Sequence, residues 1–251
     1  MFTFGTGVLY GIPTNDANGN TILNPTPIKF GTLQNVSVDI SFENKTLYGQ
    51  NQFPVAVGRG KGKISCKAQF AGFNGATLNS LFFGQTMTSG IVGVVTDVTG
   101  TAVPTTPFTI TPTVPSSGTW ILDLGVNNVN GLLMTRVASS PTTGQYSVTA
   151  GAYTFAAADT GVVMFINFEY TATSTSAQRS TVVNLLMGSA PSFRCELSAP
   201  YAGKLMVVTL FNCISSKLTF ATKQDDFMVP EFDFDVFANN ANQVMTYALS
   251  E

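Results

Sequence analysis

The sequence predicts a mainly β protein. Apolar and polar residues alternate along several segments, as they do in strands with one buried face. Turn-forming stretches rich in Gly, Pro, Ser and Asn separate these segments, and only one segment has a helical spacing of apolar residues. Hydrophobic residues make up 44% of the 251 residues, which is enough for one large core or two smaller ones.

The alternation is clearest in two segments of the N-terminal part. Residues 36–43 (VSVDISFE) place their apolar side chains on one strand face, and residues 61–70 (KGKISCKAQF) do the same. In the second segment the lysines point outward and the side chains predicted to point inward are Ile64, Cys66, Ala68 and Phe70. The residues between them, 44–60, contain three glycines and a proline and are predicted to form a loop, much longer than the usual hairpin connection.

One short helix is predicted at residues 76–83. Leu78, Leu81 and Phe82 stand at i, i+3 and i+4, the spacing that places side chains on one helix face. Asn74 is a suitable N-cap and Gly84 a suitable stop. The segment therefore predicts an amphipathic helix of about two turns on the flank of the sheet.

The composition changes in the middle of the chain. Residues 86–178 are dominated by Thr, Ser, Val, Gly and Pro and carry only five charges. This predicts an inserted β-rich domain of the small sandwich type, with strands at 119–124, 145–149, 152–155 and 162–171. Residues 1–85 and 179–251 then form a discontinuous main β-domain. Its C-terminal part is predicted to contain a short helix or turn at 182–188 and strands at 193–198, 204–211, 217–221 and 231–237.

The residue types argue against enzymatic chemistry and against a bound cofactor. Histidine is absent, which removes the commonest general base and metal ligand. Cys66, Cys195 and Cys213 are widely spaced with no CxxC pair, so we expect them to be packed as small hydrophobes. The N-terminus lacks the pattern of a signal peptide, and no window approaches about 20 apolar residues, so no membrane partner is expected.

The strongest acidic feature is the segment EFDFDVF. Glu231, Asp233 and Asp235 share one strand face at spacings of about 7 Å. Such carboxylates can form a solvated strand face, bind Ca²⁺ or supply the acid and base of a glycosidase. The spacing of a calcium loop is missing, and a solvated face is the simplest interpretation.

A basic stripe lies in the N-terminal part. Arg59, Lys61, Lys63 and Lys67 all project from one face if their strand runs unbroken. A basic stripe can bind a phosphate backbone, but the net charge of −2 leaves no broad basic surface. The pattern therefore favours pairing of the basic and acidic faces, within one subunit or between subunits.

The surface is predicted to be short of charge. Only 10% of the residues are charged, against about 25% in ordinary soluble domains. Charged residues are depleted at the centre of subunit interfaces, so burial in an oligomer explains the composition, and a cover of glycans on a secreted protein is the alternative. Most of the 20 phenylalanines are predicted to be core, with Phe53, Phe83 and Phe237 as interface candidates.

Four segments of the sequence resemble a known family, the major tail tube proteins of long-tailed bacteriophages. They are residues 36–49 (VSVDISFENKTLYG), 53–83 with GRGKGKISCKAQF, 183–191 (VNLLMGSAP) and 215–237 (SSKLTFATKQDDFMVPEFDFDVF). The middle of the chain is similar only in its β-rich style and in residues 144–159 (GQYSVTAGAYTFAAAD).

The resemblance implies a β-barrel or sandwich with a flanking helix. In that family six copies close into a ring through inter-subunit strands, and the rings stack into a tube through which double-stranded DNA passes during ejection. The implied partners are copies of the chain itself and other tail proteins, such as the tape measure, the terminator and in some phages a sheath. The implied location is the tail of the virion, after assembly in the host bacterial cytoplasm.

The resemblance also assigns roles to the segments singled out above. The predicted loop, with Tyr48, Gln50, Asn51 and Phe53, would reach a neighbouring subunit or ring. The acidic strand would line the lumen or pair with the basic stripe of a neighbour, and the inserted domain would decorate the tube or add a contact. Two alternatives stay open, another virion subunit such as a decoration or terminator protein, and a carbohydrate-active β-protein that uses the acidic strand.

Overall fold

The fold is described by a computed structural model that covers residues 5–72, 75 and 79–250. Strands make up 54% and helical turns 5% of the structure, which confirms the predicted mainly β class. The chain divides into two compact units. Unit 1 comprises Met1–Thr86 and Ser180–Glu251, and unit 2 comprises Met87–Arg179, within one residue of the boundaries expected from composition.

The described residues contain eighteen strands, numbered in chain order. The first part of unit 1 contains β1 (Val8–Asn15), β2 (Ile28–Lys29), β3 (Thr32–Tyr48) and β4 (Pro54–Ala71). Unit 2 contains β5 (Thr88–Ser89), β6 (Ile91–Val95), β7 (Thr101–Ala102), β8 (Thr109–Ile110), β9 (Thr119–Asn128), β10 (Thr135–Arg136), β11 (Gln145–Thr149), β12 (Ala152–Phe155), β13 (Val163–Ala172) and β14 (Gln178–Arg179). The second part of unit 1 contains β15 (Ser192–Tyr201), β16 (Lys204–Thr219), β17 (Glu231–Phe237) and β18 (Met245–Leu249).

Unit 1 is built on one antiparallel sheet with the order β2-β1-β15-β16-β17-β4-β3, and β18 pairs with β16. The sheet curls around its core without closing through hydrogen bonds, so the barrel form of the prediction is wrong. Its two edge strands, β2 and β3, are instead joined by a short stretch of chain. Phe30 in that stretch contacts both Phe70 and Phe232, with ring centroids 5.3 and 5.5 Å apart.

The concave face of this sheet carries the core of unit 1. Ile64, Cys66, Ala68 and Phe70 are all buried in it, as their alternation predicts. Phe193, Phe232 and Phe234 pack beside them, and all three cysteines are buried and free. Burial raises the pKa of the Cys66 thiol to about 12 and also raises the pKa values of the other two thiols, so they behave as the small hydrophobes expected.

A single helical turn, Asn79–Phe83, packs on the same face. Leu81 is completely buried against Gly11, where an added Cβ would lie 2.5 Å from the Leu81 side chain. Ser215 Oγ donates a hydrogen bond to the Leu81 carbonyl at 3.0 Å, and Gly84 ends the turn at a φ of +61°. The N-terminal part of the predicted helix, with Asn74 and Leu78, lies outside the described residues.

Two predictions for unit 1 are corrected by the structure, and a third, which left a helix or a turn open, is decided. Residues 44–60 are not a loop, because β3 and β4 continue through them and only residues 49–53 join the strands. Residues 217–221 are not a separate strand, because β16 continues to Thr219 across an irregularity near Ser215. Residues 182–188 contain only a turn and no helix, since the segment begins with two β-branched valines. Neither β1 nor β18 was predicted.

The described part of unit 2 has two four-stranded sheets and the two-stranded pair of β5 and β14. One of the four-stranded sheets has the order β10-β11-β12-β8, and in the other β13 pairs with β6 and β7 along one edge and with β9 along the opposite edge. Tyr153, Phe155, Ile166 and Phe168 form much of the core, which is consistent with the predicted sandwich. The strands expected at 145–149 and 152–155 are β11 and β12. Among the described residues of the whole chain, no helix is long and apolar enough to cross a membrane.

Candidate assembly surfaces

Strands β3 and β4 extend beyond the sheet of unit 1 as a two-stranded ribbon, residues 41–62. The sheet partner β17 pairs with β4 only from Gln69 to Ile64, and within the described part of the chain no other strand flanks the ribbon. The ten residues of β4 before Ile64 span about 33 Å at roughly 3.3 Å per residue. The ribbon therefore projects well away from the core.

Both faces of the ribbon are exposed, and large apolar side chains lie along it, most of them on one face. They are Phe42, Leu47, Tyr48, Val55 and Val57 on the strands and Phe53 at the tip. Phe53 is 80% exposed. An isolated two-stranded hairpin is marginally stable in water, and clustered exposed apolar residues mark interaction surfaces. The ribbon thus has the properties of a segment that is covered by another chain.

A glycine at the base of the ribbon allows an aromatic side chain to lie across it. Gly62 lies opposite Phe42 in the β3–β4 pairing, and a Cβ at Gly62 would lie 2.8 Å from the Phe42 ring. The missing side chain lets the ring lie across β4, where the Arg59 guanidinium sits 4.2 Å from the ring centroid as a cation–π contact. Of the glycines in the predicted loop, Gly60 also lies close to β3, where an added Cβ would be 3.2 Å from the Glu43 carbonyl oxygen.

The predicted basic stripe is broken by a β-bulge. Between the pairs Phe42–Gly62 and Asn44–Arg59, β4 contains one more residue than β3, which reverses the alternation of its side chains. Arg59 therefore lies on the face of Phe42, while Lys63 and Lys67 lie on the outer face of the sheet. Lys61 is exposed at the bulge.

The acidic strand β17 lies beside β4 in the same subunit, so its carboxylates meet the lysines within one chain. Lys67 and Lys217 place their Nζ atoms 3.1 and 3.2 Å from Glu231 Oε1. Further along β17, Lys63 Nζ lies 3.4 Å from Asp235, which also accepts a 2.7 Å hydrogen bond from Ser65 Oγ. The outer face is thus a network of alternating charges.

Hydrogen bonding shifts the titration of this network. The Gln69 amide and the two lysines stabilise the Glu231 carboxylate and lower its pKa to about 2. The same contact with Glu231 raises the pKa of Lys67. Asp233 is the cross-strand partner of Lys67, and its Oδ1 is buried without a hydrogen-bond partner among the described residues.

The residues assigned to the predicted loop all lie at the end of the ribbon. Tyr48 is the last residue of β3, and Gln50, Asn51 and Phe53 stand in the exposed connection of residues 49–53. The prediction missed Leu47, Val55 and Val57, although both flanks of the tip have apolar residues in strand-like order. Proline and glycine nearby concealed that signal.

A second apolar surface of unit 1 lies where residues 181–191 pack on the helical turn. This segment has no strand or helix, and together with Phe82 and Phe83 it forms a groove of about 480 Å³, called here the terminal groove. Its lining includes Val182, Val183, Leu185 and Leu186. Met187 beside it is fully exposed. Phe83, an interface candidate from sequence, belongs to this groove, whereas Phe237 is 41% exposed at the end of β17.

Comparison of the sequence with models of known protein families and with curated proteins finds no match. The function is therefore inferred from these surfaces and from the resemblance of the sequence segments that form them.

Proposed function

We propose that this protein is a structural subunit that assembles with copies of itself into stacked, hexameric rings of a bacteriophage tail tube, and that it has no catalytic role. The observation that carries this proposal is the ribbon. A folded unit that exposes large apolar side chains along a two-stranded projection gains stability when another subunit covers them.

The form of the contact supports a ring or a filament. The ribbon projects from one side of unit 1, and we infer that a different surface of a neighbour covers it. Contacts between different surfaces are heterologous, and they produce closed rings when the rotation closes and open filaments when it does not. A stacked tube combines the two, because closed rings repeat along an open-ended axis.

The resemblance supports the choice of a tail tube. Residues 36–49 and 53–83 form most of β3 and β4, and residues 215–237 include the end of β16 and all of β17. The segments similar to tail tube proteins thus form the ribbon and the strands next to its base. Six-fold symmetry, a DNA-filled lumen and partners such as the terminator follow from the resemblance.

The charge network is compatible with a conduit for DNA. Lysines on β4 and β16 alternate with carboxylates on β17, and the paired charges leave no continuous basic track along this face. Binding to a phosphate backbone requires a concentrated basic footprint. A surface with neutralised lysines would let DNA slide past without specific binding.

Substitution of Phe53 by Asp tests the proposal. The purified wild-type protein is expected to form long filaments at high concentration in negative-stain electron micrographs. Phe53→Asp is expected to stay monomeric with an unchanged circular dichroism spectrum, because the charge must be desolvated in any contact at the tip.

Val98→Asp is the matched control, since Val98 is 82% exposed in a loop of unit 2 and its variant should still form filaments. Filaments of normal length from Phe53→Asp would contradict the assembly role of the ribbon. A wild-type protein that stops at single closed rings would instead indicate a terminator or decoration subunit.

A further inference from the structure

We propose that the terminal groove receives the ribbon tip of a second copy of this chain. This inference rests on the proposed self-assembly and adds the surface that accepts the ribbon. It follows from the position of the groove, from the chemistry of the two surfaces and from the distance between them within one subunit.

The ribbon and the groove lie toward opposite ends of the unit 1 sheet. In the sheet, Ile64 pairs with Val236, and Val236 pairs with Cys213. Beyond Ile64, the ribbon extends in the direction of the start of β16. The helical turn packs across the middle of the sheet, where Leu81 meets Gly11, and its Phe82 end lies toward the end of β16. Ser215 bonds to Leu81, and Phe82 contacts Phe232, with ring centroids 6.1 Å apart.

The chain enters the groove region from the same end. β15 begins at Ser192, which pairs with Ile214, and β15 runs antiparallel to β16. Residues 181–191 precede β15 and pack on the helical turn, so the groove is on the side away from the ribbon. A tip about 33 Å beyond Ile64, pointing the other way, cannot fill the groove of its own subunit.

The two surfaces are both apolar and free of charged residues. Residues 46–57 (TLYGQNQFPVAV) and residues 180–191 (STVVNLLMGSAP) are each twelve residues long and contain no charged residue. The tip presents Phe53 with Leu47 and Val55, and the groove presents Val182, Val183 and Leu186, all of them more than half exposed. Depletion of charge with aromatic enrichment is typical of the buried centre of an interface.

The groove also has a suitable aromatic wall. Phe82 and Phe83 pack edge to face with centroids 4.9 Å apart, and both rings are only partly covered by their own subunit. An incoming Phe53 ring would extend this pair in the geometry that aromatic side chains prefer. The groove volume of about 480 Å³ is within the range of sites that hold an organic group of this size.

Head-to-tail contact between opposite ends of one unit repeats without a limit. Each copy offers its tip to the next copy and its groove to the previous one, which is the arrangement of an open stack. The occupant is therefore assigned as a second copy of this chain.

Disulfide trapping between two separately purified variants tests the assignment. Phe53→Cys chains mixed with Met187→Cys chains should give a cross-linked dimer under mild oxidation, several-fold more than either variant gives alone. Phe53→Cys mixed with Tyr247→Cys is the matched control, because Tyr247 is 68% exposed on β18, toward the ribbon end of the sheet. The three native cysteines are buried and do not compete.

A charge at the edge of the groove provides the second measurement. The Met187 side chain is fully exposed and does not pack in the core, so Met187→Asp should fold normally. Like Phe53→Asp, it should fail to form filaments. Cross-linking at the control level, or normal filaments from Met187→Asp, would overturn the groove assignment. If Phe53→Asp still abolishes filaments in that case, the ribbon docks elsewhere and the proposed function stands, whereas filaments from Phe53→Asp would overturn both.

Discussion

Glu231 is the residue that links three strands of unit 1. Its carboxylate accepts hydrogen bonds from Gln69 and Lys67 on β4 and from Lys217 on β16. The alternation of β17 predicts that Glu231 points outward, away from Phe232 and Phe234. Which cations it meets depends on β17 lying between β16 and β4, an arrangement of neighbours that no local pattern encodes.

This network predicts a pH-dependent stability. The pKa of Glu231 falls from the ordinary 4.5 to about 2 in the folded state, so its contribution to stability is present above pH 4.5 and is lost as the pH falls through about 2. The raised pKa of Lys67 keeps its share of the pairing through neutral pH, with loss only in strong base. Glu231→Gln should therefore lose less stability than the wild type between pH 4.5 and 2, measured by urea unfolding.

The exposed pair Glu43–Lys45 offers the control for this measurement. Its side chains are 54% and 73% exposed, and exposed ion pairs contribute little to stability. Glu43→Gln should follow the wild-type pH profile. Parallel profiles for Glu231→Gln and the wild type would show that the hydrogen bonds to Glu231 do not stabilise the fold.

At the scale of elements, the ribbon shows what the alternation of apolar residues predicts about a strand and what it does not. The alternation of residues 36–43 predicts a strand correctly, and Val36 and Val38 pack against the core as expected. Ile40 and Phe42 continue the same pattern but are about half exposed, because Ile40 lies at the end of the sheet, opposite Ile64, and Phe42 lies beyond it. Periodicity identifies an apolar strand face, and only the neighbouring elements decide whether that face is covered.

Because both faces of the ribbon are exposed, its outer part should add nothing to the stability of unit 1. Asn44 and Arg59 are cross-strand partners, so replacing residues 45–58 by Asn-Gly closes the hairpin with a turn suited to two-residue loops. The shortened chain is expected to keep its free energy of unfolding within about 0.5 kcal/mol in urea titrations. A loss of about 2 kcal/mol or more would mean that the ribbon supports the fold in the monomer.

At the scale of the whole molecule, the two units have separate hydrophobic cores. The chain enters and leaves unit 2 through β5 and β14, where Ser89 pairs with Gln178 and Thr88 with Arg179. The low number of charged residues over 86–178 indicates an inserted domain in the sequence, because a domain with its own core can have its own composition.

The paired ends of unit 2 allow it to be removed cleanly. Replacing residues 90–177 by Asn-Gly joins Ser89 to Gln178 through a two-residue hairpin turn. The resulting chain should unfold in one cooperative thermal transition and still form filaments, because the ribbon and the terminal groove both belong to unit 1. A folded chain that forms no filaments would show that unit 2 supplies a contact needed for assembly.

The sequence by itself determined the β class, the faces of the core strands, the burial of the three cysteines and the extent of the excursion in the middle of the chain. These depend on local periodicity and composition, which adjacent residues carry. Tertiary structure alone decided that the basic and acidic strands neutralise each other, that a presumed loop is an exposed ribbon, and that its tip and the terminal groove lie toward opposite ends of one unit. Each of these depends on strands such as β4 and β17, which are distant in sequence and become neighbours only when the sheet forms.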